Sequence, residues 1–265
     1  MQMSIASQED RVRGMSFLLR GVAGLMALSL LAGCAAKQVI PALPEPPFLN
    51  TACTERTVCK EELEGLVQCD PELDLAACGE ILARLNIKDR RYVMEDIQNG
   101  RKLKVPEDFR AYKEWTPLPE RLPDLPPDGK LILVVKNIPF LGWYEGGRLL
   151  GDTQVCIGKK RGWTKTGFFS VMEKDIDHVS ASYRSAYGYP ALMPFALRVY
   201  GRVWIHGGDV VKGNCSHGCI NLPLSAAEDL FGWADPGTAV LIVESLAEVD
   251  AALLGSTRRL ASASL

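Results

Sequence analysis

Charge of one sign is the first thing this sequence lacks. Thirty lysines and arginines stand against 32 aspartates and glutamates, a formal net charge of -2 with an isoelectric point near 6.0. The basic clusters, Arg90 and Arg91, then Lys159, Lys160 and Arg161, are short. Recognition of nucleic acid needs a basic stripe that neutralises phosphates, so no nucleic-acid partner is expected. No apolar run reaches the roughly 20 residues that cross a bilayer comfortably. Internal repeats are absent, and no C-x2-C or H-x3-H pair supplies a zinc knuckle. Histidine is scarce too, with three in the chain. Two of them, His206 and His217, fall in IHGGDVVKGNCSHGCIN, residues 205–221, together with Cys215 and Cys219.

What is present is an ordinary globular composition, 47% apolar and 23% charged, enough for one sizeable core and a smaller appendage. The first 34 residues read as an export signal: Arg11, Arg13 and Arg20 precede the apolar run GVAGLMALSLLAG and Cys34. Leu31-Ala32-Gly33-Cys34 resembles the lipobox of bacterial lipoproteins, which implies lipidation at Cys34, a membrane anchor there and a place in the cell envelope facing the periplasm. Ala35 in place of Asp resembles lipoproteins sorted to the outer membrane. Export places the chain in an oxidising compartment, where cysteines pair. With Cys34 assigned to lipid, Cys53, Cys59, Cys69 and Cys78 form an even group, and Cys156, Cys215 and Cys219 an odd one that leaves one thiol free.

Four prolines in residues 35–50 suggest an extended tether. Residues 51–115 are expected to form a small helical unit with little core, compensated by two disulfides among its four cysteines. Asp74 is a candidate cap for a helix whose Leu75, Cys78, Ile81, Leu82 and Leu85 share one face. The stretch LARLNIKDRRYVMEDIQNGRKLKVP loosely resembles the second half of a LysM repeat, although cysteine-stapled packing accounts for the same residues. A second proline-rich segment, TPLPERLPDLPPDGK, precedes a domain at 128–246 with β texture: LILVV, FLGWYEGGRLLGDTQVCIG with a turn at Gly146-Gly147, FFSVMEK, FALRVYGRVWIHG and AVLIVES. One helix is expected there, with a capping box from Ser225 to Glu228 and Ala227, Leu230, Phe231 and Ala234 on its apolar face. Residues 247–265 remain as a tail.

Three chemistries compete for residues 205–221. A zinc site has four ligands in His206, Cys215, His217 and Cys219, but Cys-x-His-x-Cys alternates and turns His217 away from the cysteines in an extended segment. A redox loop wants C-x-x-C, whereas the pair here is C-x3-C. A thiol nucleophile explains more of the residues. Cys219 needs a base that lowers its pKa in a thiolate and imidazolium pair, and His206, ending a strand, is better placed for this than His217 in the same loop. Gly218 lets the backbone approach a substrate carbonyl, making the amides of Gly218 and Cys219, with His217, candidate oxyanion donors. The carbonyl of Gly207 is a candidate orienter of the imidazole. No metal and no cofactor is required.

The pattern His206-Gly207 followed by Ser216-His217-Gly218-Cys219-Ile220-Asn221 resembles the signature of the L,D-transpeptidase (YkuD) catalytic domain. Thr164-Lys165-Thr166-Gly167-Phe168-Phe169, Met193-Pro194-Phe195 and Pro236-Gly237-Thr238-Ala239-Val240 extend the resemblance over about residues 130–245. It implies a mainly β, sandwich-like domain with one or two short helices. It further implies a peptidoglycan transpeptidase in which Cys219 attacks the diamino acid carbonyl of a tetrapeptide stem, D-Ala leaves, and an amine accepts the acyl group. His206 then acts as base and acid, Gly207 as orienter, and Ser216, His217 and Asn221 as supports of the loop or pocket. Tyr187, Tyr189, Met193 and Phe195 lie where the family covers its substrate, core packing being the alternative. The loop from Gly207 to Ser216 is shorter than is common in the family, which leaves room for a protein acceptor, or for water and hence a carboxypeptidase or amidase. A non-catalytic wall-binding lipoprotein is the remaining reading. Cys156 and Cys215, outside the signature, are suggested as a disulfide anchoring the catalytic loop, against buried free thiols. His178 reads as a surface or structural histidine.

Overall fold

The computed structural model describes residues 53–185 and 187–253; the expected export signal, Cys34, the expected tether and most of the tail lie outside the described residues. The chain runs through β1 (Cys53–Arg56), α1 (Lys60–Cys69), α2 (Leu75–Asn86), α3 (Arg90–Gln98) and β2 (Leu103–Pro106), with β1 and β2 paired antiparallel around the helices. Asp74 caps α2, its side chain accepting the Ala77 N–H at 2.6 Å. Cys78, Ile81, Leu82 and Leu85 bury the stripe expected from their spacing. The helix ends at Ile87, whose left-handed φ of 51° is unusual for a β-branched residue.

The remainder is mostly strand: β3 (Lys130–Val135), β4 (Phe140–Glu145), β5 (Arg148–Gln154), β6 (Ile157–Gly158), β7 (Gly167–Ser170), β8 (Glu173–Asp175), β9 (Val179–Arg184), β10 (Pro190–Leu192), β11 (Ala196–Tyr200), β12 (Val203–Gly207), β13 (Asn214–Ser216), β14 (Ile220–Leu222) and β15 (Ala239–Val243), with α4 (Leu224–Trp233) before the last. One sheet has the order β5-β4-β3-β15-β7, a second β14-β12-β11-β8; β6 with β13 and β9 with β10 make two short ribbons. Gly146 and Gly147, at φ +55° and +76°, form the β4–β5 hairpin turn. A Cβ there would lie 2.7 and 2.5 Å from the carbonyl oxygens of Pro127 and Leu122, so the turn needs glycine both for its dihedrals and for this close approach.

Alternation along the five-stranded sheet sends side chains into two cores. Ile132, Val134, Leu141, Val240 and Ile242 meet Leu197, Val199, Ile205, Ile220 and Leu222 of the second sheet and Ala227 and Leu230 of α4. Leu131, Leu133, Val135, Phe140, Tyr144, Leu241 and Val243 point the other way and pack with Leu63, Leu82, Leu85, Val93 and Leu103 of the N-terminal segment. A sheet buried on both faces requires the unbroken apolar runs LILVV and AVLIV. Each such side chain withdrawn from water contributes about 1.5–3 kcal/mol.

Two expectations are corrected. Cys53, Cys59, Cys69 and Cys78 are all free thiols. The core that disulfides were expected to replace is supplied by the sheet face, and Cys78 is packed inside it as an apolar side chain. The helix α4 starts one residue before Ser225, after Pro223, with no side-chain cap bond. The fixed φ of proline sets its first turn instead of a capping box.

Candidate active site

The site is assembled from β12, β14 and the loops at their ends. These strands run parallel, with Ile205 opposite Ile220 and His206 opposite Asn221. Because successive side chains alternate, Ile205, Ile220 and Leu222 enter the core, while Trp204, His206, Cys219 and Asn221 line a cleft of about 1110 Å³ on the other side. His206 is only 7% exposed. Its Nδ1 lies 2.9 Å from the carbonyl oxygen of Gly207; a carbonyl only accepts, so Nδ1 carries the proton and Nε2 is left as the acceptor. Gly207 is held in turn by its N–H, which donates to Pro194 O at 2.8 Å. The Gly208 backbone passes so close that a Cβ there would sit 3.2 Å from His206 Cε1. The Cys219 sulfur lies 3.8 Å from Arg202 O, and the backbone N–H of Trp204 favours its anion.

Burial dominates the electrostatics. It lowers the His206 imidazole from about 6.5 to about 4, opposed by the bond to Gly207 and assisted by nearby His178. It also pushes the Cys219 thiol up. Moving the proton from an ordinary thiol near 8.5 to an imidazole at about 4 costs roughly 6 kcal/mol. Opposite charges about 4 Å apart would recover about 4 kcal/mol at an effective dielectric of 20. Burial of both groups thus disfavours the expected thiolate and imidazolium pair at rest.

The loop carrying Cys219 is tied from several sides. Cys156 and Cys215 are joined by a disulfide, as suggested, and β13 pairs with β6 beside it. Ser216 Oγ donates to Cys219 O at 2.5 Å and accepts the Gly218 N–H at 3.1 Å. The buried Thr164 hydroxyl donates to Gly218 O at 2.8 Å and accepts the Gly158 N–H at 2.9 Å. Asn221 Nδ2 donates to Asp209 O at 3.2 Å. From the N-terminal segment, Asp89 N–H donates to Val210 O at 2.6 Å and Arg91 pairs with Asp209 at 2.5 Å.

Of the residues singled out in the sequence, Cys219, His206, Ser216, His217, Asn221 and Met193 line the cleft. Gly218 does not offer its amide there, since Ser216 takes that N–H. His217 stacks with Trp163 and with Tyr183 of β9, at 5.4 and 4.2 Å between ring centroids, and so fastens the β9–β10 ribbon to the loop carrying Cys219. Tyr187 and Tyr189 stand exposed at the ribbon's tip. Phe195 packs against Phe231 with the second core instead of lining the cleft. His178 lines it, stacked on Trp204 at 3.9 Å with Nδ1 2.9 Å from Asp175. Sequence reasoning missed Thr164, Trp204 and Gly208 as site residues. The run Thr164 to Gly167 was visible as a pattern, but only coordinates connect its hydroxyl to Gly218.

The model of the L,D-transpeptidase catalytic domain, YkuD, matches residues 129–242. No curated protein sequence matches the chain. Among solved structures, an L,D-transpeptidase from Xylanimonas cellulosilytica is 17% identical over 75% of this chain and 100% of that one, with a TM-score of 0.48. One from Stackebrandtia nassauensis is 18% identical over 76% and 98%, TM-score 0.44. L,D-transpeptidase 1 of Mycobacterium tuberculosis is 27% identical over 44% and 62%, TM-score 0.37. The chain spans 58% of the Mycobacterium smegmatis L,D-transpeptidase and 62% of the M. tuberculosis one, less than two thirds of either.

Proposed function

Because residues 129–242 belong to the YkuD family of L,D-transpeptidase catalytic domains, we propose that this protein is a cysteine-dependent acyltransferase of peptidoglycan, tethered to the envelope through a lipid on Cys34. The observation that carries the reading is the parallel pairing of β12 with β14, which presents His206 and Cys219 to one cleft, the imidazole already held in the tautomer that accepts at Nε2. In the first half-reaction the Cys219 sulfur bonds to the carbonyl carbon of the diamino acid in a tetrapeptide stem. His206 Nε2 takes the thiol proton as the bond forms, so that no free thiolate need accumulate. The amide of Cys219 is the proposed oxyanion donor, Gly218 being occupied by Ser216. Collapse of the tetrahedral intermediate breaks the bond to D-Ala, whose amine receives the proton from His206. In the second half, an acceptor amine gives its proton to His206, attacks the thioester and frees the thiol.

Burial fits this sequence of steps: a base at about 4 holds a proton briefly and returns it readily to the leaving amine. Incubation with a tetrapeptide followed by intact mass spectrometry should show loss of D-Ala and an acyl adduct on Cys219. Adding an amine should discharge the adduct to a transfer product. An adduct that persists in Cys219→Ala sinks the assignment, and discharge to water alone in the presence of amines makes the protein a hydrolase of the same bond.

A further inference from the structure

The cleft holds a second imidazole that the steps proposed above leave idle. His178 lies in the turn from β8 to β9 and lines the cleft together with His206 and Cys219. Its backbone is fixed from the facing segment: the carbonyl of His178 accepts the Met193 N–H at 2.8 Å, and that of Ile176 accepts the Phe195 N–H at 2.9 Å. The ring stacks on Trp204 with 3.9 Å between centroids, and Trp204 packs in one small cluster with Cys219. His206 is close enough to feel the charge of His178. Nδ1 of His178 stands 2.9 Å from Asp175 Oδ2; a carboxylate only accepts, so Nδ1 carries the proton and Nε2 is left as an acceptor. The other charged groups in this wall, Glu173 of β8 and Arg198 of β11, are matched to each other at 2.8 Å. The side chains of His178 and Asp175 are 24% and 42% exposed, so a proton taken up here has a way out to water that the buried His206 lacks.

The acceptor half-reaction has one proton too many for a single base. An alkyl amine with an ordinary pKa of about 10.4 is neutral in only about one molecule in 2,500 at pH 7. Its ammonium group brings three protons; the new amide keeps one, the thiol regains one through His206, and one is left over. Resting on the function proposed above, we propose that His178 is the base for this surplus proton. Its Nε2 takes the proton from the acceptor ammonium inside the cleft, and Asp175 balances the imidazolium that forms. The neutral amine nitrogen then bonds to the thioester carbonyl carbon, His206 carries one N–H proton to the departing Cys219 sulfur as the C–S bond breaks, and His178 returns its proton to water. The donor half has no such surplus, since the thiol proton alone travels to D-Ala.

The test uses the full chain, acylated on Cys219 by a tetrapeptide, and two acceptor peptides that differ only at the reacting end. One ends in an aminoethyl group; the other ends in the isosteric aminooxymethyl group, which is already uncharged at pH 7. Mass spectrometry follows loss of the adduct and growth of the transfer product. In His178→Gln the ratio of discharge rates, aminooxy over alkyl amine, should rise about 10²-fold or more, because the alkyl amine alone loses its base. Asp175→Asn, which keeps the imidazole on Trp204, should move the ratio in the same direction by less. A general loosening of the cleft slows both acceptors alike and cancels in the ratio. A ratio unchanged in His178→Gln therefore overturns the inference while leaving the transferase reading in place, and one that rises there but stays unchanged in Asp175→Asn removes the carboxylate from it. Discharge of the unmodified protein's adduct to neither amine overturns transfer and the inference together, and absence of any adduct overturns the nucleophile as well.

Discussion

A neutral resting pair of Cys219 and His206, which burial of both groups favours, predicts behaviour different from that of a preformed ion pair. With burial pushing the Cys219 thiol up, the thiolate is a minor species at pH 7. Since only the thiolate is nucleophilic, the iodoacetamide rate constant at Cys219, followed by mass spectrometry of its own peptide, should climb about tenfold per pH unit from pH 5 to 8. It should be little changed in His206→Asn, because His206 holds no proton for the sulfur to lean on. Acylation by the tetrapeptide should nevertheless fall by about 10²- to 10⁴-fold in that variant, since proton transfer in the transition state is lost. The acid limb of kcat/KM should lie near pH 4, where His206 is protonated, and not near 6.5. A flat alkylation rate between pH 5 and 8 that drops in His206→Asn would refute the reasoning, for it would mean that the buried site sustains the charged pair after all.

Stability follows the same histidine. Its folded pKa lies below its unfolded one, so as pH falls from about 6.5 to about 4 the unfolded chain takes the proton first, and about 3 kcal/mol is lost over that window; denaturant melts at pH 7 and pH 4 in His206→Asn and the unmodified protein isolate the difference. Breaking the Cys156–Cys215 link, which spans 59 residues, by Cys215→Ser should cost about 4 kcal/mol on a chain-entropy basis and lower acylation through a loosened loop, measured by melting and by adduct formation. Thr164→Val strips the hydroxyl from both Gly158 N–H and Gly218 O. It should destabilise by about 1–3 kcal/mol and depress kcat more than it raises KM.

The candidate pair, His206 and Cys219, and its frame were legible because they are local in sequence. His206 ends an apolar strand, Cys219 follows a glycine, and the odd number of cysteines beyond the N-terminal group left one thiol unpaired. The strands of the two sheets were legible for the same reason. The β9–β10 ribbon was not, since VSASYR and PAL stand largely exposed and have no buried alternation to read. Nor was the partner of the helical segment: the spacing in α2 showed a face that needed covering, but what covers it lies some fifty residues further along. The shift of His206 to about 4 was equally out of reach, because it arises from the side chains around the ring and not from its neighbours in the chain.

The middle sheet has a helical layer on one side and a strand layer on the other. Residues 129–242, cut out along the limits of the matching family model, would carry Leu131, Leu133, Val135, Phe140 and Tyr144 into solvent as a bare oily wall. The same excision would take Asp89 and Arg91 away from the loop above the thiol. The matched segment and the self-sufficient fold thus have different borders in this molecule: residues 129–242 depend on their upstream neighbour to stay dry.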